Sequence, residues 1–113
     1  MTDPAIDLDV FSELKDATGD EFAAELVTTF LEEAEGMFDD LKSSAAGGDA
    51  DGYRRAAHSI KSNANTFGAV ELAALARDME LGNFPGDGAD AAIDTLAGAF
   101  DRAATALKEL IDA

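Results

Sequence analysis

The sequence contains no cysteine, which excludes disulfide bonds, thiolate zinc sites and thiol nucleophiles. Tryptophan is absent and aromatic residues make up only 7%, so aliphatic side chains and alanine must fill most of any core. No uncharged run is long enough to span a bilayer. The first residues also lack the apolar core of a signal peptide. These absences predict a cytoplasmic location.

Basic residues are scarce as well. Eight lysines and arginines stand against 24 aspartates and glutamates, which gives a formal net charge of −16. Such a surface repels phosphate backbones and anionic lipids, so we expect neither nucleic acid nor a membrane as a partner. Half of the cations nevertheless share one window with a single acid: Arg54, Arg55, Lys61 and Arg77. That window, residues 54–77, carries +3 and the remainder −19, which favours binding of a phosphoryl group or an acidic cleft there.

Helix-forming residues dominate the chain and strand signals are nearly absent. With 113 residues, we expect a single domain, residues 1–113. Glycine-containing breaks divide the chain into a short apolar segment at 6–14, which stops at Thr18-Gly19, and four helices. The first two of these helices are predicted at about 20–46 and about 50–67. Gly68 breaks the chain there, the next helix runs from it to about 82, and the last covers about 89–112. Because the breaks are short, the prediction is an all-α, antiparallel up-and-down four-helix bundle.

Apolar residues recur at helical spacing in each helix and predict its core-facing side. The longest helix is predicted to bury Phe22, Leu26, Phe30, Ala34, Met37, Leu41 and Ala45. The next is predicted to bury Tyr53, Ala57, Ile60, Ala64 and Phe67. The last two are predicted to bury Leu72, Leu75, Ala76 and Met79, and Ile93, Leu96, Phe100, Ala103, Leu107 and Leu110.

The one histidine, His58, falls on the other side of its helix from these apolar residues. At about 100° per residue the apolar side centres roughly 150° from His58, so the imidazole is expected to face solvent. Arg54, Lys61, Ser62 and Asn65 lie within about 60° of it, on the same exposed strip. A solitary histidine is most often an incidental surface residue, so its neighbours decide what it does.

A register argument adds a carboxylate to this strip. If the two middle helices are antiparallel and turn at Gly68-Ala69, residues equally distant from the turn lie at the same height. His58 is then level with Glu80, and Lys61 with Arg77. A carboxylate that accepts the Nδ1–H of an imidazole fixes its tautomer and leaves Nε2 as the nucleophile. Without His58, Glu80 would be one ordinary solvated acid among many.

The stretch Ala-His-Ser-Ile-Lys-Ser-Asn-Ala-Asn-Thr-Phe-Gly-Ala, residues 57–69, followed by Leu72 and Met79-Glu80, resembles histidine-containing phosphotransfer (HPt) domains. The family pattern is His, any residue, an aliphatic, Lys, Gly, two small residues, then an apolar residue and Gly-Ala, with a Leu-Glu-like step farther on. The long preceding helix is similar too, so the resemblance covers most of the chain. It implies a four-helix bundle with a short extra N-terminal helix.

The resemblance also implies roles for individual residues. His58 would be phosphorylated on Nε2, Lys61 would help hold the phosphoryl oxygens, and Glu80 would hydrogen-bond Nδ1. The family's glycine four residues after the histidine, thought to let the partner come close, is Ser62 here. Its hydroxyl either donates to the phosphoryl group or slows transfer, and both alternatives are open. Arg77 is a hypothetical second cation.

The exposed face around His58 would be where a receiver domain docks. We expect it to include Arg54, Ser62, Asn65 and Arg77. An apolar residue of the first helix, Val10 or Phe11, is expected to meet a receiver helix. Contacts of this signalling type are usually small and transient, and a monomer is expected.

The implied function is that of a relay carrier. His58 would take a phosphoryl group from, or give it to, an aspartate of a response-regulator receiver domain, in a pathway fed by a sensor or hybrid histidine kinase. No Gly-rich ATP loop is present, so no ATP-dependent kinase activity is expected. No cofactor is predicted, and Mg²⁺ is expected only from the receiver.

Two other functions are compatible with the residues. A non-catalytic acidic helical adaptor would bind a basic protein partner, with His58 incidental. A small bundle enzyme would use His58 and Glu80 as a base pair, but no second reactive group can be named for it.

Overall fold

Five α-helices account for most of the chain. They are α1 (Leu8–Thr18), α2 (Asp20–Gly47), α3 (Ala50–Phe67), α4 (Val70–Leu81) and α5 (Ala89–Asp112). The structure, a computed structural model, describes residues 5–112 without the side chains of Asp87 and Asp112. Part of the N-terminal segment that was predicted not to be a signal peptide lies outside the described residues. No strand occurs in that range, which confirms the all-α prediction. None of these helices is long and apolar enough to cross a bilayer.

Both ends of α3 are defined by local hydrogen bonds. At its start the Asp49 carboxylate accepts the Gly52 N–H at 2.9 Å, the usual action of an aspartate N-cap. At its end Gly68 adopts a left-handed conformation, φ 76°. The N–H groups of Gly68 and Ala69 then donate back to the carbonyls of the last turn at 3.2 and 2.8 Å. The N-cap at Asp49 and the C-cap at Gly68 determine where α3 begins and ends, and therefore the position of His58 along the helix.

Helices α2 to α5 form the predicted bundle, in which α2 packs on α3, α3 on α4, α4 on α5, and α5 back on α2. Phenylalanines from three helices meet in its centre: the Phe30 ring stacks on Phe67 at 5.2 Å and meets Phe100 edge-on at 5.8 Å. Helix α1 packs outside this ring, against α2 and α3. The predicted bundle with a short extra N-terminal helix is therefore confirmed.

The core-facing side is predicted well for α3 and less well for α2. All five residues predicted inward on α3 are buried. On α2, however, Phe22 is 51% exposed, and the prediction that it faces the core is wrong. The buried residues there are Ala23, Val27, Phe30, Ala34, Phe38 and Leu41. Residues spaced four apart are each rotated by about 40° around the helix axis relative to the one before, so a run of such steps leaves the core-facing side. Alternating steps of three and four residues keep to that side.

Candidate functional site

His58 lies midway along α3 with its side chain 55% exposed. Its neighbours Ala57 and Ile60 are fully buried against the other helices. The backbone beneath the imidazole is therefore held by core packing, while the ring itself meets solvent, as the helical angle predicts.

Glu80, in the last turn of α4, binds the imidazole from the side. Its Oε2 lies 2.6 Å from Nδ1 of His58, across 22 residues of sequence. The two-residue turn between α3 and α4 brings the pair to one height, as the register argument predicts. An Nδ1–H that donates to this carboxylate leaves Nε2 unprotonated, with a free lone pair.

Lys61 completes a triad that the sequence analysis did not foresee. Its Nζ lies 2.5 Å from Oε1 of Glu80, so each carboxylate oxygen has one partner. The predicted register of α3 and α4 sets Lys61 level with Arg77, but the flexible lysine side chain reaches Glu80 instead. The triad is 19–23% exposed at its lysine and glutamate.

The ammonium of Lys61 has an electrostatic effect on Glu80. Its hydrogen bond, and to a lesser extent that of His58, holds the pKa of the Glu80 carboxyl below its ordinary value of 4.5, although partial burial works in the opposite direction. The carboxylate thus stays ionised through the neutral range and remains an acceptor for both partners.

The remaining predicted site residues surround the triad but do not join it. Ser62 and Asn65 are exposed on the strip beside His58. Arg54 is 42% exposed, and its nearest acid is Asp51, at a loose 3.8 Å. Arg77 is exposed on α4 and forms no ion pair with any acidic side chain that the structure describes. The structure therefore brings together His58, Lys61 and Glu80, and places Arg54 and Arg77 at the edge of the site, outside the triad.

The expected apolar contact from α1 needs a correction. Phe11 is only 3% exposed because it packs into the core, so it cannot meet a partner. Val10 is half-buried, and a Cβ placed on Gly68 would lie 3.0 Å from its own Cβ. Phe11 thus attaches α1 to the bundle, whereas a contact of Val10 with a receiver helix stays a prediction.

A resident metal site would need clustered ligands. Among the side chains that the structure describes, no group of three or more histidines, aspartates and glutamates is placed to hold a metal ion.

Comparison with known proteins now assigns the family. The model of the Hpt domain matches residues 25–113. The chain belongs to the Hpt family. A crystal structure of histidine-containing phosphotransfer protein B (HptB) from Pseudomonas aeruginosa PAO1 superposes with a TM-score of 0.87 at 27% identity, covering 98% of this chain and 97% of that one. No curated protein matches the chain.

The role of this Hpt chain is histidine phosphotransfer in a phosphorelay, which confirms the function expected from the residue pattern. Family membership implies interaction with histidine kinases and response regulators. The matched range contains the whole of α3 and α4, and with them the His58–Glu80–Lys61 triad. The adaptor and the small bundle enzyme therefore lose their main support.

Proposed function

We propose that His58 is the phosphoacceptor of this Hpt chain and carries the group on Nε2. One observation carries the assignment: the only histidine is exposed, and a carboxylate 2.6 Å from Nδ1 orients its ring. The opposite nitrogen is left as an accessible nucleophile, which is the condition for attack on phosphorus.

The transfer step needs no proton to leave the chain. The Nε2 lone pair of His58 attacks the phosphorus of a receiver aspartyl phosphate. As the N–P bond forms, the bond from phosphorus to the carboxyl oxygen breaks, and the aspartate leaves as a carboxylate. The imidazole gains positive charge, which the Glu80 carboxylate stabilises through Nδ1–H. The reverse sequence returns the group to a receiver.

Lys61 is proposed to act on both sides of this step. An ammonium has three donors, and one of them already binds Glu80. A second can reach an oxygen of a phosphoryl group on the adjacent His58 without loss of the first contact. Lys61 would then stabilise the negative charge of the phosphoryl group while keeping Glu80 in place.

The receiver is proposed to dock on the face that bears Arg54, Ser62, Asn65 and Arg77. All four are at least partly exposed, and they lie in the window of net charge +3 within an otherwise acidic chain. A cationic face suits the acidic, Mg²⁺-binding cleft of a receiver and orients the encounter, whereas the acidic remainder disfavours other poses. We propose a cytoplasmic monomer that neither spans a membrane nor binds nucleic acid, and that takes Mg²⁺ only from the receiver.

A labelling experiment tests the assignment of His58. The chain is incubated with a panel of ³²P-labelled receivers and hybrid kinases, and the label is checked for acid lability and base stability. We expect wild type to acquire such a label and His58→Gln, with unchanged circular dichroism, to acquire none. A labelled His58→Gln protein would refute His58 as the acceptor, and a wild type unlabelled by every partner would return weight to the adaptor.

A further inference from the structure

The two nitrogens of the His58 ring face different sides of α3. Nδ1 is turned towards α4, because Glu80 holds it there at 2.6 Å. At about 100° per residue, Lys61 lies roughly 60° from His58 on that same side, and Ser62 roughly 40° away on the other. The observed contact of Lys61 with Glu80 confirms which side faces α4. Nε2, across the ring, is therefore on the side of Ser62.

Ser62 is close enough to reach a group attached to Nε2. Side chains four residues apart on a helix have Cβ atoms about 5–6 Å apart. Helical side chains lean towards the N-terminus, so Ser62 leans over the turn that holds His58. The residue is exposed, so its hydroxyl faces no steric barrier on that side.

The hydroxyl of Ser62 is also uncommitted. Several helix threonines donate to the carbonyl four residues earlier: Thr28, Thr66, Thr95 and Thr105. The Ser62 hydroxyl makes no such bond, nor any other with the groups that the structure describes. It is therefore available to an acceptor outside the helix.

The cations near His58 leave this position to Ser62. Lys61 is bound to Glu80 on the opposite side of the ring, so the contact proposed for it with the phosphoryl group involves an oxygen on that side. Arg54, one turn before His58, leans away from it and faces Asp51. Arg55 is on the side of Ser62, but it too lies one turn before His58 and leans away.

We propose that the Ser62 hydroxyl donates a hydrogen bond to a phosphoryl oxygen on Nε2 of His58, and thereby shifts the phosphotransfer equilibrium towards the Hpt chain. The inference rests on the proposed phosphorylation of His58. A glycine at this position, as in the family pattern, supplies no donor, so Ser62 makes the chain a better store of the phosphoryl group. The same hydroxyl lies on the docking face, where it can also alter the encounter with a receiver.

The equilibrium constant and the rate of phosphotransfer distinguish the hydrogen bond to the phosphoryl group from an effect on receiver docking. The equilibrium constant for exchange between His58 and a receiver aspartate depends only on the free species, so a change at the docking face cannot alter it. A lost hydrogen bond to the phosphoryl group does alter it. Net hydrogen bonds to charged groups correspond to about tenfold or more in an equilibrium constant.

In the test, phosphoramidate transfers its phosphoryl group to His58. The P–N bond to ammonia, the leaving group, breaks as the bond from phosphorus to Nε2 forms. Loaded wild type, Ser62→Ala, Ser62→Gly and Ser62→Thr are each brought to equilibrium with a receiver that takes label from His58. We expect Ser62→Ala and Ser62→Gly to shift the equilibrium about tenfold towards the receiver, and Ser62→Thr to restore it. Ser59→Ala, an exposed serine about 100° round the helix from His58, is the matched control and should leave it unchanged.

Each outcome has one meaning. Equal equilibrium constants for wild type, Ser62→Ala and Ser62→Gly would overturn the inference, even if transfer rates differed, since Ser62 would then act only on docking. A shift shared by Ser59→Ala would also overturn it. Failure of phosphoramidate to label wild type, or labelling of His58→Gln, would instead refute the proposed function itself.

Discussion

The two connections on either side of α4 differ in almost every respect. Between α3 and α4 only Gly68 and Ala69 intervene, and both are buried. Between α4 and α5 the chain runs through Gly82–Gly88, which is mostly exposed and contains a single turn of 3₁₀-helix. The first connection sets the height of Glu80 relative to His58, and the second only returns the chain to the bundle.

Each connection contains a glycine with positive φ, but the two glycines have different surroundings. Gly68 and Gly86 both have positive φ, 76° and 59°. A Cβ on Gly68 would lie 2.8 Å from the backbone oxygen of Asp7, whereas a Cβ on Gly86 would meet nothing within 4 Å. The Gly68 carbonyl also accepts the Asp7 N–H at 2.7 Å. The short turn thus attaches the start of α1 to the bundle and also connects α3 to α4, the two helices that carry the site.

The largest effect expected from this comparison is on stability, with Gly68→Ala. Positive φ costs an alanine roughly 1–2 kcal/mol, and the contact with the Asp7 backbone adds to this, so we expect a loss of about 3 kcal/mol. In a chain of this size that lowers Tm by about 12 °C. Gly86→Ala should lose only the φ term, about 1 kcal/mol. Thermal unfolding followed by circular dichroism measures both, and equal losses would show that the close approach to α1 costs nothing.

The next effect compares the two ends of α4, where two carboxylates bind different helices, Glu80 with its side chain 19% exposed and Glu71 with its side chain 43% exposed. Glu80 binds the site, and Glu71 binds Arg102 of α5 at 2.9 Å. Glu80→Ala should slow phosphotransfer roughly tenfold to a hundredfold, because the ring of His58 loses the partner that fixes its tautomer. Glu71→Ala should leave the rate unchanged. Rapid-quench transfer assays compare them, and a Glu80→Ala rate equal to wild type would refute an orienting role.

These two connections also show what a sequence can and cannot predict. The α3 boundaries were predictable because Asp49 and Gly68 are strong local signals. The pairing of His58 with Glu80 followed because a two-residue turn leaves little freedom in register. Local chain geometry therefore accounts for the centre of the site.

Longer-range packing was less predictable. Phe22 was assigned to the core because spacing alone cannot fix the direction of a 28-residue helix, and Phe11 was assigned to a docking surface because its burial depends on how α1 attaches. The contact of Lys61 with Glu80 depends on the separation of two helices and on a flexible side chain. None of these is encoded by a local pattern.

A smaller effect concerns the pH at which the triad breaks. The pKa of Glu80 lies below 4.5, chiefly because Lys61 hydrogen-bonds the carboxylate. Stability from this carboxylate is therefore fully present above the ordinary value and is lost as pH falls through the lowered pKa. In Lys61→Met the pKa should rise, so the contact with His58 is lost at higher pH. Carboxyl ¹³C NMR titration of Glu80 measures the midpoint, and an unchanged or lower midpoint in the variant would refute the role of Lys61.

The smallest effect is expected in the long connection. Inserting Gly-Ser-Gly-Ser between Phe84 and Pro85, ahead of the 3₁₀ turn, lengthens it from seven residues to eleven, which costs about 0.5 kcal/mol in closure entropy. The insertion follows Phe84, whose ring packs edge-on against Tyr53 at 5.2 Å, so the part of the connection attached to the core is kept. Denaturant unfolding should show a change within 1 kcal/mol, with the transfer rate unchanged. If transfer slowed while the fold persisted, the long connection would also hold Glu80 in position, and the α3–α4 turn would no longer be sufficient to set the site.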